Sequence, residues 1–140
     1  MADSDSPSNQ PPPQNGSTKS SVARWVTKFR YAFRGLIWAC RTQNSFWIHM
    51  PVAVAVLLVA TILQIALWEW VTLIIVIGTV FSAELANSAI EQIVKVVHPE
   101  LDERIGQALD AAAAAVLAVS ISAAVVGVVV LGPKLLNLVI

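Results

Sequence analysis

Residues 71–97 read VTLIIVIGTVFSAELANSAIEQIVKVV, an apolar run interrupted by a few polar residues. It is long and apolar enough to cross a bilayer, which takes ~20 residues in a helix. It nevertheless carries four polar side chains that a lipid-facing helix would exclude: Glu84, Asn87, Glu91 and Lys95. An unpaired acid at the middle of a membrane costs roughly 2.5–3.5 kcal/mol. We therefore expect these side chains to face a protein interior or a wet cleft.

Three of these residues lie on one side of the predicted helix, which we call the polar face. Glu84, Asn87 and Glu91 occupy positions i, i+3 and i+7, with Ser88 at i+4, and such positions are neighbours on a helix surface. Asp110 opens the third apolar run and is expected at the same membrane level as Glu91. Carboxylate and carboxamide oxygens can hold Mg²⁺, and a carboxylate can act as the general base for a hydroxyl nucleophile.

Each of these residues also has a purely structural explanation. Small and hydrogen-bonding residues such as Asn87 and Ser88 favour close packing between membrane helices. Lys95 lies four residues after Glu91, a spacing that favours an exposed ion pair. Asp110 suits the first turn of a helix, where a carboxylate interacts well with the helix dipole.

The composition agrees with a membrane protein. The chain has 140 residues, of which 56% are hydrophobic and 13% charged, whereas ordinary soluble domains have about 45–50% and about 25%. Nine Lys and Arg balance nine Asp and Glu, so no net charge favours binding to nucleic acid. The single cysteine excludes an internal disulfide, and it offers no cysteine cluster for zinc.

Two further apolar runs complete an all-α membrane protein with three transmembrane helices, expected at about residues 48–68, 71–97 and 109–131. The first and third runs contain no charged residue apart from Asp110. The sequence WEW at residues 68–70 is typical of a headgroup boundary, and Gly132-Pro133 is expected to end the third helix. His49, at the start of the first run, is expected to be an interfacial polar residue.

An amphipathic helix is predicted before the first span, at about residues 22–41. Its aromatic residues Trp25, Phe29 and Phe33 recur every four residues and share a face, and basic residues surround them. This pattern is typical of a helix that lies in the membrane interface. A soluble amphipathic helix whose aromatic face packs against the protein itself would show the same pattern. Residues 1–20 are rich in proline and serine, which predicts a disordered polar tail.

The distribution of basic residues predicts the orientation of the chain. With three spans, the amino-terminal arm and the second connection lie on one side of the membrane, and that side holds every Lys and Arg except Lys134. The positive-inside rule places this side in the cytoplasm. The carboxyl terminus is then expected outside.

The polar face also carries a resemblance to a known family. Residues 84–91, ELANSAIE, are similar to the E-x-x-N-[ST]-A-I-E signature of the prokaryotic diacylglycerol kinase family, which includes the undecaprenol kinases. Three flanking segments resemble the same family: YAFRGL at residues 31–36, NSFWIH at 44–49 and ALD at 108–110. The resemblance covers about residues 22–131.

The resemblance implies a homotrimeric lipid kinase of the bacterial cell membrane, with a cytoplasmic active site shared between subunits. Such an enzyme moves the γ-phosphoryl group of ATP, with Mg²⁺, to a lipid hydroxyl. Carried over by position, Glu84 would be the general base and Glu91 a Mg²⁺ ligand. The residues that would bind the nucleotide and its phosphates are Asn87, Asp110 and Tyr31.

The chain departs from the family pattern at two positions. Gln43 stands where the family has a metal-binding Glu, and Leu109 stands where it has a Lys that contacts phosphate. An amide still offers an oxygen to a metal but carries no charge, so Gln43 remains a candidate metal ligand. Lys95 is the candidate replacement for the missing cation, because it lies one turn beyond Glu91.

Three functions are compatible with the sequence. The first is a kinase that phosphorylates diacylglycerol or undecaprenol, with activity reduced by Gln43 and Leu109. The second is an inactive member of the same family that assembles in the membrane or binds lipid. The third is an ion-handling subunit in which Glu84 and Glu91 relay protons.

Overall fold

The computed structural model describes residues 21–98, 100 and 102–140. These residues form four α-helices and no strand: α1 (Ser21–Thr42), α2 (Asn44–Ile62), α3 (Leu67–Val97) and α4 (Glu103–Val139). Helices α2, α3 and α4 are each long and apolar enough to cross a membrane. The predicted all-α membrane fold with three spans is therefore confirmed. The tail predicted at residues 1–20 lies outside the described residues.

The chain divides into two compact units, one through Phe33 and the other from Arg34. In the first unit, α1 forms the predicted helix and its aromatic face is exposed. Trp25 and Phe29 lie with ring centroids 6.4 Å apart, and the Lys28 ammonium lies 5.0 Å from the centroid of the Trp25 ring. Basic side chains beside exposed aromatic rings are typical of helices at a membrane surface, and that location stays a prediction.

The second unit is built around α3, which packs mainly against α4 and less extensively against α2. Buried apolar side chains gather at one end of these helices, where they form a small core of Ala60, Ile65, Leu73, Val130 and Leu131. Most other large apolar side chains on the three spans are exposed. Such exposure is expected of helices whose outer surface is solvated by lipid tails.

The turn between α2 and α3 comes earlier than predicted. Helix α2 ends at Ile62, and Gln64 takes a positive φ of 47°. The Gln64 N–H donates to the Thr61 carbonyl at 3.2 Å. The residues predicted as a boundary turn, 68–70, instead lie in the first turn of α3. The helix begins there because the Glu69 carboxylate accepts the Ala66 N–H at 2.6 Å, which satisfies one free donor at the helix start.

The predicted end of the third span at Gly132-Pro133 is wrong, since α4 continues through Pro133 to Val139. A proline removes one helical hydrogen bond, but helices in membranes tolerate this where neighbouring groups compensate. Lys134 directly follows Pro133, and its ammonium lies 3.1 Å from the Glu69 carboxylate on α3. This ion pair holds the two helices together where α4 would otherwise end.

The start of α4 also differs from the prediction. Asp102 caps the helix, because its carboxylate accepts the Arg104 N–H at 2.8 Å and the Ile105 N–H at 3.4 Å. Asp110 therefore lies two turns inside the helix and is exposed. The interpretation that Asp110 lies in the first turn and interacts with the helix dipole is wrong, because Asp102 is the carboxylate at the start of α4.

The ion pair between Glu69 and Lys134 generates a prediction about stability. Glu69 is buried, and its replacement by glutamine removes the negative charge that pairs with the Lys134 ammonium and strengthens the hydrogen bond from the Ala66 N–H. We expect Glu69→Gln to lower the thermal unfolding midpoint in detergent micelles by several degrees. Glu103→Gln is the matched control, because Glu103 is an exposed acid in the first turn of α4. Equal midpoints for the two variants would contradict the role of the pair.

Candidate functional site

The polar face of α3 turns towards the other two spans, as predicted. Glu84 has only 3% of its surface exposed and Ser88 only 4%. Asn87 and Glu91, nearer the end of the helix, are half-buried. Glu91 lies ~33 Å along α3 from Glu69 at 1.5 Å per residue, which is close to the ~30 Å thickness of a bilayer core. With Glu69 at one boundary of the bilayer core, Glu91 is expected near the other boundary and Glu84 ~10 Å inside it.

The buried Glu84 carboxylate contacts a histidine from α2. Its Oε1 lies 3.4 Å from His49 Nδ1, which also lies 2.9 Å from the Ser45 carbonyl oxygen. Because a carbonyl oxygen only accepts hydrogen bonds, Nδ1 must carry a proton. The other ring nitrogen, Nε2, lies 3.3 Å from the Ser120 hydroxyl on α4. Side chains of all three spans thus meet at His49.

This contact corrects the interpretation of His49 as an interfacial polar residue. His49 has 25% of its side chain exposed and is paired with an acid that is almost completely buried. Sequence reasoning also missed Ser120 as its partner. A polar residue within an apolar span usually pairs with another polar group. That rule could have connected His49 with Glu84, but only the packing of the helices identifies Ser120.

A second polar cluster lies on the same face of α3, nearer the membrane boundary. The Asn87 amide donates to Glu91 Oε1 at 3.0 Å, and Lys95 Nζ lies 3.7 Å from Glu91 Oε2. Asn87 Oδ1 is buried and has no hydrogen-bond partner within the described residues. Buried polar atoms are usually paired. The Asn87 amide nitrogen thus faces Glu91, and the Asn87 oxygen is left without a partner inside the chain. Carboxylate and amide oxygens are of the kind that a hard cation takes as ligands, although no group of three or more His, Cys, Asp or Glu side chains gathers here among the described residues.

Three other predicted site residues are not brought into this cluster. Asp110 is exposed, and among the described residues neither its side chain nor that of Gln43 makes an ion pair or hydrogen bond with the polar face. Gln43 precedes the first residue of α2 as its N-cap. Tyr31 belongs to the unit that ends at Phe33. The roles predicted for these residues stay predictions.

An apolar groove of about 510 Å³ runs along the three spans and ends at His49. Its lining comes from α2, α3 and α4, and only two lining residues are polar, His49 and Ser120. Leu131 and Leu135 line the opposite end. Ser120 and Leu135 lie ~22 Å apart along α4 at 1.5 Å per residue. The groove therefore combines a long hydrocarbon surface with a polar end beside the buried acid.

Comparisons with known proteins agree with the resemblance found in the sequence. The model of the family described as prokaryotic diacylglycerol kinase matches residues 30–131. The chain is 32% identical over 117 residues to an undecaprenol kinase of Bacillus subtilis, an alignment that covers 84% of this chain and 95% of that relative. It is 36% identical over 116 residues to a diacylglycerol kinase of a Synechocystis species, with 82% of this chain and 66% of that relative covered.

The family match includes α2, α3 and the groove-lining part of α4 up to Leu131. It therefore covers His49, Glu84, Asn87, Glu91 and Ser120. The relatives named above are both kinases of lipid alcohols. Because this match covers most of the chain, the chain belongs to the prokaryotic diacylglycerol kinase family.

Proposed function

We propose that this protein is an integral membrane kinase that transfers the γ-phosphoryl group of ATP to the hydroxyl group of a membrane lipid. The observation that carries the proposal is the buried Glu84, held on the polar face of α3 within a chain of this family. Such a costly group in a membrane helix marks a functional site by default. The two relatives make diacylglycerol and undecaprenol the candidate lipids.

Phosphoryl transfer depends mainly on positioning the reactants and on neutralising charge. Glu84 is proposed as the catalytic carboxylate, which drives removal of the proton from the lipid hydroxyl. Its place among the spans supports this role, because a carboxylate held away from bulk water interacts more strongly with charge that develops beside it. Asn87, three residues further along the same face, is proposed to position a phosphate oxygen or the substrate.

A Mg²⁺ ion is proposed at the second cluster of the polar face. Glu91 would supply a carboxylate oxygen, and Mg²⁺ prefers oxygen ligands together with waters and phosphates. When bound, the ion neutralises charge on the phosphates. Gln43 and Asp110 are proposed as further ligand and nucleotide-binding residues, and Tyr31 as a nucleotide contact.

The oligomer and the orientation are proposed from the placement of polar and basic residues. Within one chain, Gln43 and Asp110 do not contact Glu91 among the described residues, and a homotrimer with shared sites would let a neighbouring copy supply them. The surplus of Lys and Arg at the Glu91 end of the helices supports a cytoplasmic active site. The amino terminus then lies in the cytoplasm and the carboxyl terminus outside.

The first test of the proposal replaces Glu84. We expect Glu84→Gln to lower the rate of phosphate transfer at least about 100-fold, which is the usual contribution of a general base. Transfer is measured with γ-labelled ATP, Mg²⁺ and purified protein in liposomes that contain diacylglycerol or undecaprenol. Glu103→Gln, at an exposed acid of α4, should keep the wild-type rate. A Glu84→Gln rate equal to that of the control would refute the role of Glu84.

The same assay separates the kinase from an inactive family member. Binding of ATP in the presence of Mg²⁺ without any labelled lipid would support the inactive member. Labelled lipid product supports the kinase, and the better of the two lipids identifies the substrate.

A second prediction concerns Lys95. Its side chain is 63% exposed and its ammonium lies beside Glu91, so it can reach a phosphate bound at Glu91. A charge-assisted hydrogen bond contributes about 1.5–3 kcal/mol. We therefore expect Lys95→Ala to lower the transfer rate by about 10- to 100-fold. Lys95→Arg should retain more activity. Arg104→Ala serves as the control, because it removes an exposed cation at the start of α4. If both alanine variants lowered the rate equally, Lys95 would have no specific role in transfer.

A third prediction restores the residues typical of the family. The double variant Gln43→Glu with Leu109→Lys adds a carboxylate for the metal and a cation for the phosphates. We expect faster transfer than in the wild type, measured in the same liposomes at saturating ATP. A slower double variant would show that Lys95 and Asn87 already supply the contacts that the two added charges were meant to provide.

A further inference from the structure

We infer that the amino-terminal part of α1, at residues 21–33, docks on bilayers that contain lipid phosphomonoesters, and that Arg24 and Lys28 bind the phosphate group. The docking itself does not depend on the proposed kinase function. Only the source of the ligand rests on that function, because transfer of a phosphoryl group to a lipid alcohol produces a lipid phosphomonoester. The kinase then binds its own product through a surface outside its catalytic site.

The first argument is the exposure of the aromatic face of α1. Trp25 and Phe29 each have 60% of their surface exposed, and Val26 on the same side of the helix has 61%. Only Gln43 separates α1 from α2, and α2 is long and apolar enough to span a membrane. The chain therefore keeps the aromatic face within reach of a bilayer, which offers apolar tails to the rings and headgroups to the basic side chains.

The second argument is the charge beside this face. Every charged side chain of α1 is basic, and none of them makes an ion pair among the described residues. Arg24 and Lys28 lie four residues apart, a spacing that makes them neighbours on the helix surface and at which like charges repel. An anion that accepts hydrogen bonds from both side chains relieves this repulsion. The surface is therefore complementary to an anionic membrane.

The Lys28 ammonium lies at the edge of the aromatic face. It is 5.0 Å from the centroid of the Trp25 ring, and an indole is typical of the boundary between membrane and water. One turn before it, the Arg24 guanidinium donates to the Ser21 hydroxyl at 3.1 Å, a neutral partner that leaves its charge uncompensated. A phosphate group at the depth of the Trp25 ring therefore meets the Lys28 ammonium, and the long side chain of Arg24 can turn to it.

The third argument identifies the kind of headgroup. A phosphomonoester carries a charge of about −1.5 to −2 near neutral pH and three strong acceptor oxygens, whereas the phosphate of a phosphodiester is singly charged. Two neighbouring cations match the doubly charged group, because a singly charged one leaves the repulsion between Arg24 and Lys28 partly uncompensated. Hydrogen bonds between ionised groups are also the stronger kind. We therefore expect a lipid phosphomonoester to bind in preference to the common diester phospholipids.

The proposed reaction supplies this ligand within the same bilayer. An uncharged lipid alcohol becomes a lipid phosphomonoester when it receives the γ-phosphoryl group of ATP. A ligand that binds only the docked state of α1 shifts the population towards that state. Docking should therefore strengthen as the product accumulates in the membrane.

The experiment measures docking with a nitroxide label on the full chain in liposomes. The label is attached to Val26→Cys in a Cys40→Ser background, because the chain has no other cysteine. Thr27→Cys, on the opposite side of the helix, is the matched control. Collisions with oxygen report contact with lipid tails, and collisions with a nickel chelate report contact with water. Phosphatidylcholine liposomes are compared with and without phosphatidic acid, a lipid phosphomonoester.

We expect phosphatidic acid to raise the ratio of docked to undocked label at position 26 at least about fivefold, which is the effect of one basic residue near an anionic surface. Position 27 should change little, and phosphatidylglycerol at the same zeta potential should give a smaller shift. Arg24→Gln with Lys28→Gln should abolish the preference for phosphatidic acid. The exchange Arg24→Lys with Lys28→Arg keeps both charges and should retain it.

A second arm tests the source of the ligand. Phosphatidylcholine liposomes that contain a lipid alcohol receive γ-labelled ATP and Mg²⁺, and the signal at position 26 is followed while labelled lipid forms. We expect the same shift as with added phosphatidic acid. Glu84→Gln should show no shift, because ATP is present but the product is not.

Each contrary result identifies what has failed. An unchanged signal with phosphatidic acid overturns the inference, whether or not the protein phosphorylates lipid. An equal shift with phosphatidylglycerol overturns it in favour of surface charge alone. A label shielded from both oxygen and nickel in every liposome overturns it too, because a second copy then covers the aromatic face. A shift with phosphatidic acid but no labelled lipid after ATP supports the docking surface and overturns the proposed kinase.

Discussion

The structure depends on placing one carboxylate, Glu84, where a bilayer would ordinarily exclude it. Such a group must find polar partners within the protein, because lipid offers none. Glu84 finds His49 on α2, and His49 in turn contacts Ser120 on α4. Pairing the acid therefore requires that all three spans meet at one depth. The apolar groove that ends at His49 follows from the same packing.

The positions of the charged groups along α3 also set the register of the chain in the membrane. Glu69 pairs with Lys134 at one end of the helix, and Glu91 pairs with Lys95 near the other. The interval between the two acids matches the thickness of a bilayer core at 1.5 Å per residue. Glu84 then lies deeper than Asn87 and Glu91, the two residues proposed to meet the water-soluble nucleotide and its metal ion.

The sequence predicted the helices and the polar face because both follow from local spacing. The side shared by Glu84, Asn87 and Glu91 depends only on the helical repeat, and the three spans depend only on apolar length. The ends of the helices were less predictable. Proline at position 133 usually ends a helix, but the pairing of Lys134 with a residue far away in sequence supports its continuation. Likewise, nothing local to His49 or Ser120 indicates that they meet each other.

The polar face of α3 is proposed to serve phosphoryl transfer to a lipid alcohol. The most direct measurement supplies γ-labelled ATP and Mg²⁺ to the purified protein in liposomes that contain a polyprenol. We expect a labelled lipid phosphate that forms in step with ADP. Release of labelled inorganic phosphate without labelled lipid, or no turnover of ATP at all, would contradict it.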